Sequence, residues 1–213
     1  MLKVMGSHRT GATKFEIVEA LRQEEVRRGL EFEYCLIAAG SSLNRAPSPQ
    51  VWRDGDVLSL DSGGNCGGYI GDVARMAVLG EPDRELEDLL GEVDAIQQAA
   101  RKPIAAGVPG REIYASAMEA VRRSTFANSL DFVAHGMGMI LHESPRLSSA
   151  GPVPYANPDA EQPLEAGMVI SIETQLPHPR CGFIKLEDTV AVTKDGWEAY
   201  GDFGRGWNRG GVA

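Results

Sequence analysis

The chain has 213 residues, 43% of them hydrophobic, and a formal net charge of −9 at pH 7. That is enough apolar sequence for one substantial core, and an acidic chain with no basic cluster argues against a nucleic-acid partner. No apolar run approaches the ~20 residues of a membrane span. Met1 to Gly11 lacks the apolar centre of a signal peptide, and three scattered cysteines without Cys-x-x-Cys spacing argue for a reducing, cytoplasmic setting.

In chain order, the first predicted element is a helix from Thr13 to Gly29. Thr13 and Glu16 have capping-box spacing, Phe15, Val18 and Leu21 supply an apolar side, and Gly29 is a stop. Phe32 to Ala39 reads as a strand, followed by a Ser- and Pro-rich loop from Gly40 to Arg53. The apolar run Val57, Leu58 and Leu60 predicts a strand closed by Asp61. Five glycines (63, 64, 67, 68, 71) then form a bend, and Asp72 opens a second strand through Val73, Met76, Val78 and Leu79, making a hairpin. Asp83 begins a helix with Leu86, Leu89, Leu90, Val93 and Ile96 on one face, ending before Pro103. A third helix covers 111–123, with Ile113, Ala117, Met118 and Val121 at helical period. Phe132 to Ala134 is a short strand leading into His135. A proline-rich loop is predicted over 148–163. Strands follow over 168–175 and 183–193, and the tail from Gly201 reads as loosely organised.

Four acids stand inside otherwise apolar strand sequence: Asp61, Asp72, Glu173 and Glu187. Burying a carboxylate is costly unless it is paired or binds a metal. Taken singly, each has an ordinary reading: Asp61 and Asp72 as turn or cap acids, Glu187 as part of a solvated edge, His135 as a satisfied core histidine and His142 as a loop histidine. Together, four carboxylates and one imidazole are what a pair of divalent cations needs. The oxygen-rich set favours Mn²⁺ and tolerates Co²⁺, Fe²⁺ or Zn²⁺.

The order and spacing of these residues resemble the pita-bread metallohydrolases, which include methionine aminopeptidase, Xaa-Pro aminopeptidase, prolidase and creatinase. The carrying motifs are Leu60-Asp-Ser-Gly with Gly68-Tyr-Ile-Gly-Asp-Val-Ala-Arg, His135-Gly-Met-Gly with His142-Glu-Ser-Pro, Gly167-Met-Val-Ile-Ser-Ile-Glu173, and Lys185-Leu-Glu187-Asp-Thr-Val-Ala-Val-Thr. The short gap between Glu173 and Glu187 is closer to the Xaa-Pro branch. The resemblance implies an α+β, pseudo-twofold fold with a curved antiparallel sheet and helices on its outer face, as one catalytic domain over residues 1–213 without the N-terminal domain of longer relatives. It implies a dinuclear hydrolase that uses a metal-bridging hydroxide to cut an amide bond at the N-terminal end of a small peptide, and a possible homodimer. By position, Asp61 would chelate one ion and Asp72 and Glu187 would bridge the two. His135 and Glu173 would complete the ligand sets. Glu173 would also pass a proton, and His142 would hydrogen-bond the substrate carbonyl or the tetrahedral intermediate.

The chain departs from the family pattern at Glu173-Thr174-Gln175, where Glu-Pro-Gly is usual, and at two further positions. Asn44 stands where a substrate-contacting histidine is usual, and Lys185 where arginine is frequent; both are expected at the substrate. They motivate one alternative, a non-peptidase member acting on a small metabolite amide; the expected lack of the N-terminal region motivates another, a catalytically silent binding protein holding a peptide or partner in the same cleft.

Overall fold

The computed structural model describes residues 1–147 and 158–212. The loop expected over 148–163 lies, up to residue 157, outside the described residues. The chain opens with α1 (Leu2–Ser7), which the sequence did not signal, and α2 (Lys14–Arg27). The expected capping box is present: Glu16 N donates to Thr13 Oγ1 at 3.2 Å and Thr13 N donates to Glu16 Oε2 at 2.8 Å. β1 (Glu31–Ala39) leads through the Ser/Pro loop to β2 (Val57–Cys66). This strand does not close at Asp61, as the glycine-rich run suggested, but continues through Gly63 and Gly64. The reason is local: a Cβ at Gly63 would stand 2.4 Å from the ring of Tyr34 on β1, so only glycine lets the two strands pair there. The bend itself is Gly67-Gly68, at φ +61° and +92°. β3 (Tyr69–Ile70) and β4 (Val73–Val78) complete the hairpin.

α3 (Arg84–Arg101) is capped by Asp83, whose Oδ1 accepts from Leu86 N at 2.9 Å. α4 (Arg111–Arg123), β5 (Asp131–Gly136) and β6 (Glu143–Arg146) follow, then β7 (Val169–His178), β8 (Gly182–Val192), β9 (Trp197–Tyr200) and β10 (Asn208–Arg209). The main sheet runs in the order β1-β2-β4-β8-β7-β5-β6, with antiparallel neighbours throughout. It falls into two parts, β1-β2-β4 and β8-β7-β5-β6, which meet at a seam registered by one pair, Ala74 and Glu187.

Each part has its own core. Ile17 and Leu21 of α2 pack with Ile37, Leu58 and Leu60. The apolar faces of α3 and α4 pack with Ile170, Ile172, Ile184, Leu186 and Val190. Each such side chain contributes about 1.5–3 kcal/mol by leaving water. Because strand side chains alternate, putting these residues against helices sends Asp61, Glu173 and Glu187 to the other face.

The tail is better organised than expected. Trp207 is buried and its Nε1 donates to Leu86 O at 3.0 Å, while β10 pairs parallel to β4. Arg75, buried behind the seam, donates to Asp188 Oδ1 at 2.6 Å and to the carbonyls of Gly201 and Phe203 at 2.8 and 2.6 Å. Within the tail, Arg205 pairs with Asp94 and Asp188, and a Cβ at Gly210 would stand 2.5 Å from the Trp52 ring, so its arginine and glycine serve ion pairing and close approach.

Candidate metal centre

One row of residues crosses both parts of the sheet. Asp61 is registered with Ala74, Ala74 with Glu187, Glu187 with Glu173 and Glu173 with Val133. Directly paired residues of antiparallel strands project to the same face. Two residues along the chain the face repeats, which adds Asp72 beside Ala74, Lys185 beside Glu187 and His135 beside Val133. The four acids and His135 thus share one patch, from four strands and the segment before a fifth.

The patch is deep. Asp61, Asp72, His135 and Glu187 are each 3% exposed or less, and Glu173 is half-buried. His135 Nδ1 donates to Gly136 O at 3.0 Å, which puts the ring proton there and leaves a lone pair on Nε2. That nitrogen has no hydrogen-bond partner. It faces Glu173 Oε1 at 3.9 Å and Glu187 Oε1 at 4.0 Å. An acceptor facing two further acceptors, with no donor among them, is an arrangement that a cation would satisfy. Donor atoms of Asp72, His135 and Glu187 lie within 4.8 Å of one another, as do those of His135, His142 and Glu173. The donors present therefore fit a divalent ion.

The carboxylates are buried close to one another. Burial, then Glu187 and Asp61, push the Asp72 carboxyl up to about 10. Burial raises Asp61 as well, against the pull of Lys185. Tyr34 Oη donates to Asp72 Oδ1 and, at 3.3 Å, to Asp61 Oδ1. Burial and these acids hold its phenol above the usual tyrosine range. Ser171 Oγ donates to Glu187 Oε1 at 2.6 Å.

His142 lies at the rim, its ring stacked on His135. Burial, then His135, lowers its affinity for a proton. It overlooks a cleft of about 260 Å³ that reaches Asp61, Glu173 and Gln175.

The two expected substrate contacts are placed otherwise. Asn44 is exposed and does not line the cleft: its Oδ1 accepts from Ala46 N at 2.9 Å, and its carbonyl accepts from Lys14 Nζ at 2.7 Å. The neighbouring Arg45 enters instead, pairing with Asp61 Oδ2 and lying 4.7 Å over the ring of Phe183. Lys185 does line the cleft, but its ammonium is spent on acids: Asp61 Oδ2 at 2.5 Å, Glu173 Oε2 at 2.6 Å and Glu187 Oε2 at 2.8 Å. Burial alone would lower its proton affinity, but Glu187, Glu173 and Asp61 outweigh it and hold the ammonium above the usual lysine range. Sequence reasoning missed Tyr34, Arg45 and Ser171. Tyr34 shares the face of Leu36, the registered partner of Asp61, so the β1–β2 register is the signal that finds it.

Comparison with known proteins finds relatives of this fold. The "Uncharacterized peptidase YqhT" of Bacillus subtilis is 28% identical over 165 residues, 76% of this chain and 44% of that protein. The Xaa-Pro dipeptidase of Pyrococcus furiosus is 26% identical over 196 residues, 85% of this chain and 54% of that protein. The chain thus spans about half the length of these relatives. The X-Pro aminopeptidase structure from Thermotoga maritima superposes with a TM-score of 0.88 at 24% identity, over 98% of this chain and 58% of that one, which shows the fold. The Pyrococcus furiosus prolidase structure gives 0.80 at 25% identity, over 90% of this chain and 56% of that one. The pattern of metallopeptidase family M24 runs through residues 1–194. A curved antiparallel sheet of pita-bread form, with that pattern along nine-tenths of its length, makes this chain a member of metallopeptidase family M24.

Proposed function

We propose that the chain hydrolyses an amide bond at the N-terminal end of a small peptide, in a reaction that depends on divalent metal. The observation that carries this is His135 Nε2, buried, without a partner, and aimed at Glu173 and Glu187. Asp72, His135, Glu173 and Glu187 would hold the ion, with Asp61 beside them. The oxygen-rich donor set suits Mn²⁺. A divalent ion bound there supplies Lewis-acid polarisation of the scissile carbonyl and activation of water.

The chain's own groups do the rest. Glu173, half-buried at the cleft wall, takes the proton of the attacking water and passes it to the departing amine. His142, kept neutral, donates an N–H to the oxyanion that develops from the carbonyl. A cleft of about 260 Å³ admits a short peptide. The three free cysteines, Cys35, Cys66 and Cys181, support a reducing, cytoplasmic location. Family relationship alone supports a homodimer.

A panel of Xaa-Pro dipeptides and longer peptides, incubated with Mn²⁺-loaded protein and followed by mass spectrometry, tests the reading. Metal-dependent release of the N-terminal residue supports it; no turnover with Mn²⁺, Co²⁺, Fe²⁺ or Zn²⁺ sinks it. Lys185, which lines the cleft where relatives frequently carry arginine, favours one second reading, a small metabolite amide as substrate. Turnover of such amides, with proline peptides untouched, would select it.

A further inference from the structure

The expected ligand set has one member that does not converge with the others. Donor atoms of Asp72, His135 and Glu187 lie within 4.8 Å of one another, as do those of His135, His142 and Glu173, and the two groups share His135; Asp61 belongs to neither among the described residues. Both of its oxygens are taken by protein donors. Oδ1 accepts from Tyr34 at 3.3 Å, and Oδ2 accepts from Lys185 at 2.5 Å and from Arg45. An acid placed to chelate an ion is instead clamped by two fixed cations.

Lys185 is well suited to that place. An ammonium has three N–H donors and no lone pair, and here three carboxylate oxygens from three strands surround it at 2.5, 2.6 and 2.8 Å. The side chain is buried. An arginine at this position would present a flat, extended fork, whereas lysine brings a compact point charge.

Resting on the metallohydrolase reading above, we propose that the Lys185 ammonium takes the position of a second divalent ion. The centre then holds a single ion, on Asp72, His135, Glu173 and Glu187. Lys185 is a positioning residue: it keeps Asp61 and the two glutamates assembled whether or not metal is present.

The test is metal stoichiometry. The full chain is equilibrated with excess Mn²⁺, freed of unbound ion, and measured by elemental analysis and by electron paramagnetic resonance, beside Lys185→Met and Lys185→Gln. Circular dichroism first establishes which variants are folded. The expected result is one equivalent of Mn²⁺ with the signal of an isolated ion in the parent chain. In the variants, occupancy rises toward two equivalents with the signal of an exchange-coupled pair. A second readout is the melting temperature of the metal-free proteins, which falls in both variants and recovers on adding Mn²⁺ by more than in the parent. Two equivalents in the parent chain would overturn the inference and leave the metallohydrolase reading standing. One equivalent in parent and variants alike would overturn the role of Lys185. No binding in any of them would overturn both readings.

Discussion

The imidazoles of His135 and His142 lie face to face, with centroids 3.7 Å apart and planes 11° from parallel. The first ring is buried and its free nitrogen points into the acids; the second sits at the surface over the cleft. The stack therefore joins the proposed ligand position to the proposed substrate position. His142 is already held below its usual proton affinity by burial and by His135. His142→Ala should lower kcat by about 10²–10³-fold, the cost of one oxyanion donor, while bound Mn²⁺ is unchanged. His135→Ala should lose the metal itself. Elemental analysis beside kinetics separates the two, and full activity in His142→Ala would remove it from the mechanism.

Tyr34 bridges Asp72 and Asp61 through one hydroxyl, and its ring covers Gly63. Tyr34→Phe keeps the ring and removes the bridge. Metal affinity should fall about 10–100-fold, as for other partners that orient ligands, with little change in fold. Gly63→Ala should do worse, because a Cβ there would meet the tyrosine ring at 2.4 Å. Titration with Mn²⁺ measures both; unchanged affinity in Tyr34→Phe would make the hydroxyl a bystander.

The acids could be read from the sequence because a carboxylate is conspicuous in an apolar run, and Asp61, Asp72, Glu173 and Glu187 do meet on one face. Helix ends were equally plain: Thr13 and Asp83 cap where their side-chain chemistry says they should. What the sequence hid depends on register and on contacts distant along the chain. Nothing local distinguishes Arg45, which reaches Asp61, from Asn44, which turns outward onto Ala46 and Lys14. Nor does the tail's composition reveal Arg75 reaching the carbonyls of Gly201 and Phe203, contacts formed only once the two parts of the sheet have met.

Asp188 is the anchor of that junction. It stands next to Glu187 on the opposite face, fully buried, and takes Arg75 at 2.6 Å, Arg101 at 2.9 Å and Arg205. Asp188→Ala leaves buried guanidinium groups without their shared partner, and should cost about 3–5 kcal/mol, the usual penalty for breaking a buried pair. Urea denaturation of the metal-free protein checks it. A loss under about 1 kcal/mol would mean the ions act as an exposed set, which typically contributes little.

The acids also give the metal-free protein a pH dependence of definite sign. Asp72 is held up to about 10 by burial, Glu187 and Asp61, while in the unfolded chain it titrates near the ordinary carboxylate value of about 3.9. Between those limits the folded chain holds a proton that the unfolded chain has released. Folding therefore takes up protons. The stabilisation is complete below the unfolded value and is lost as pH rises through the folded one. Asp61, raised in the same direction, adds to the trend. From about pH 7 to 9 the melting temperature of chelator-treated protein should fall by an amount set by this proton uptake. With Mn²⁺ the sign reverses, since the ion takes the proton's place and binds more tightly as protons become scarce. Calorimetric titration in buffers of different ionisation enthalpy should then show proton release on binding. A metal-free protein that grows more stable across this range would mean that Asp72 is already ionised without metal, its charge met by Tyr34 and Lys185.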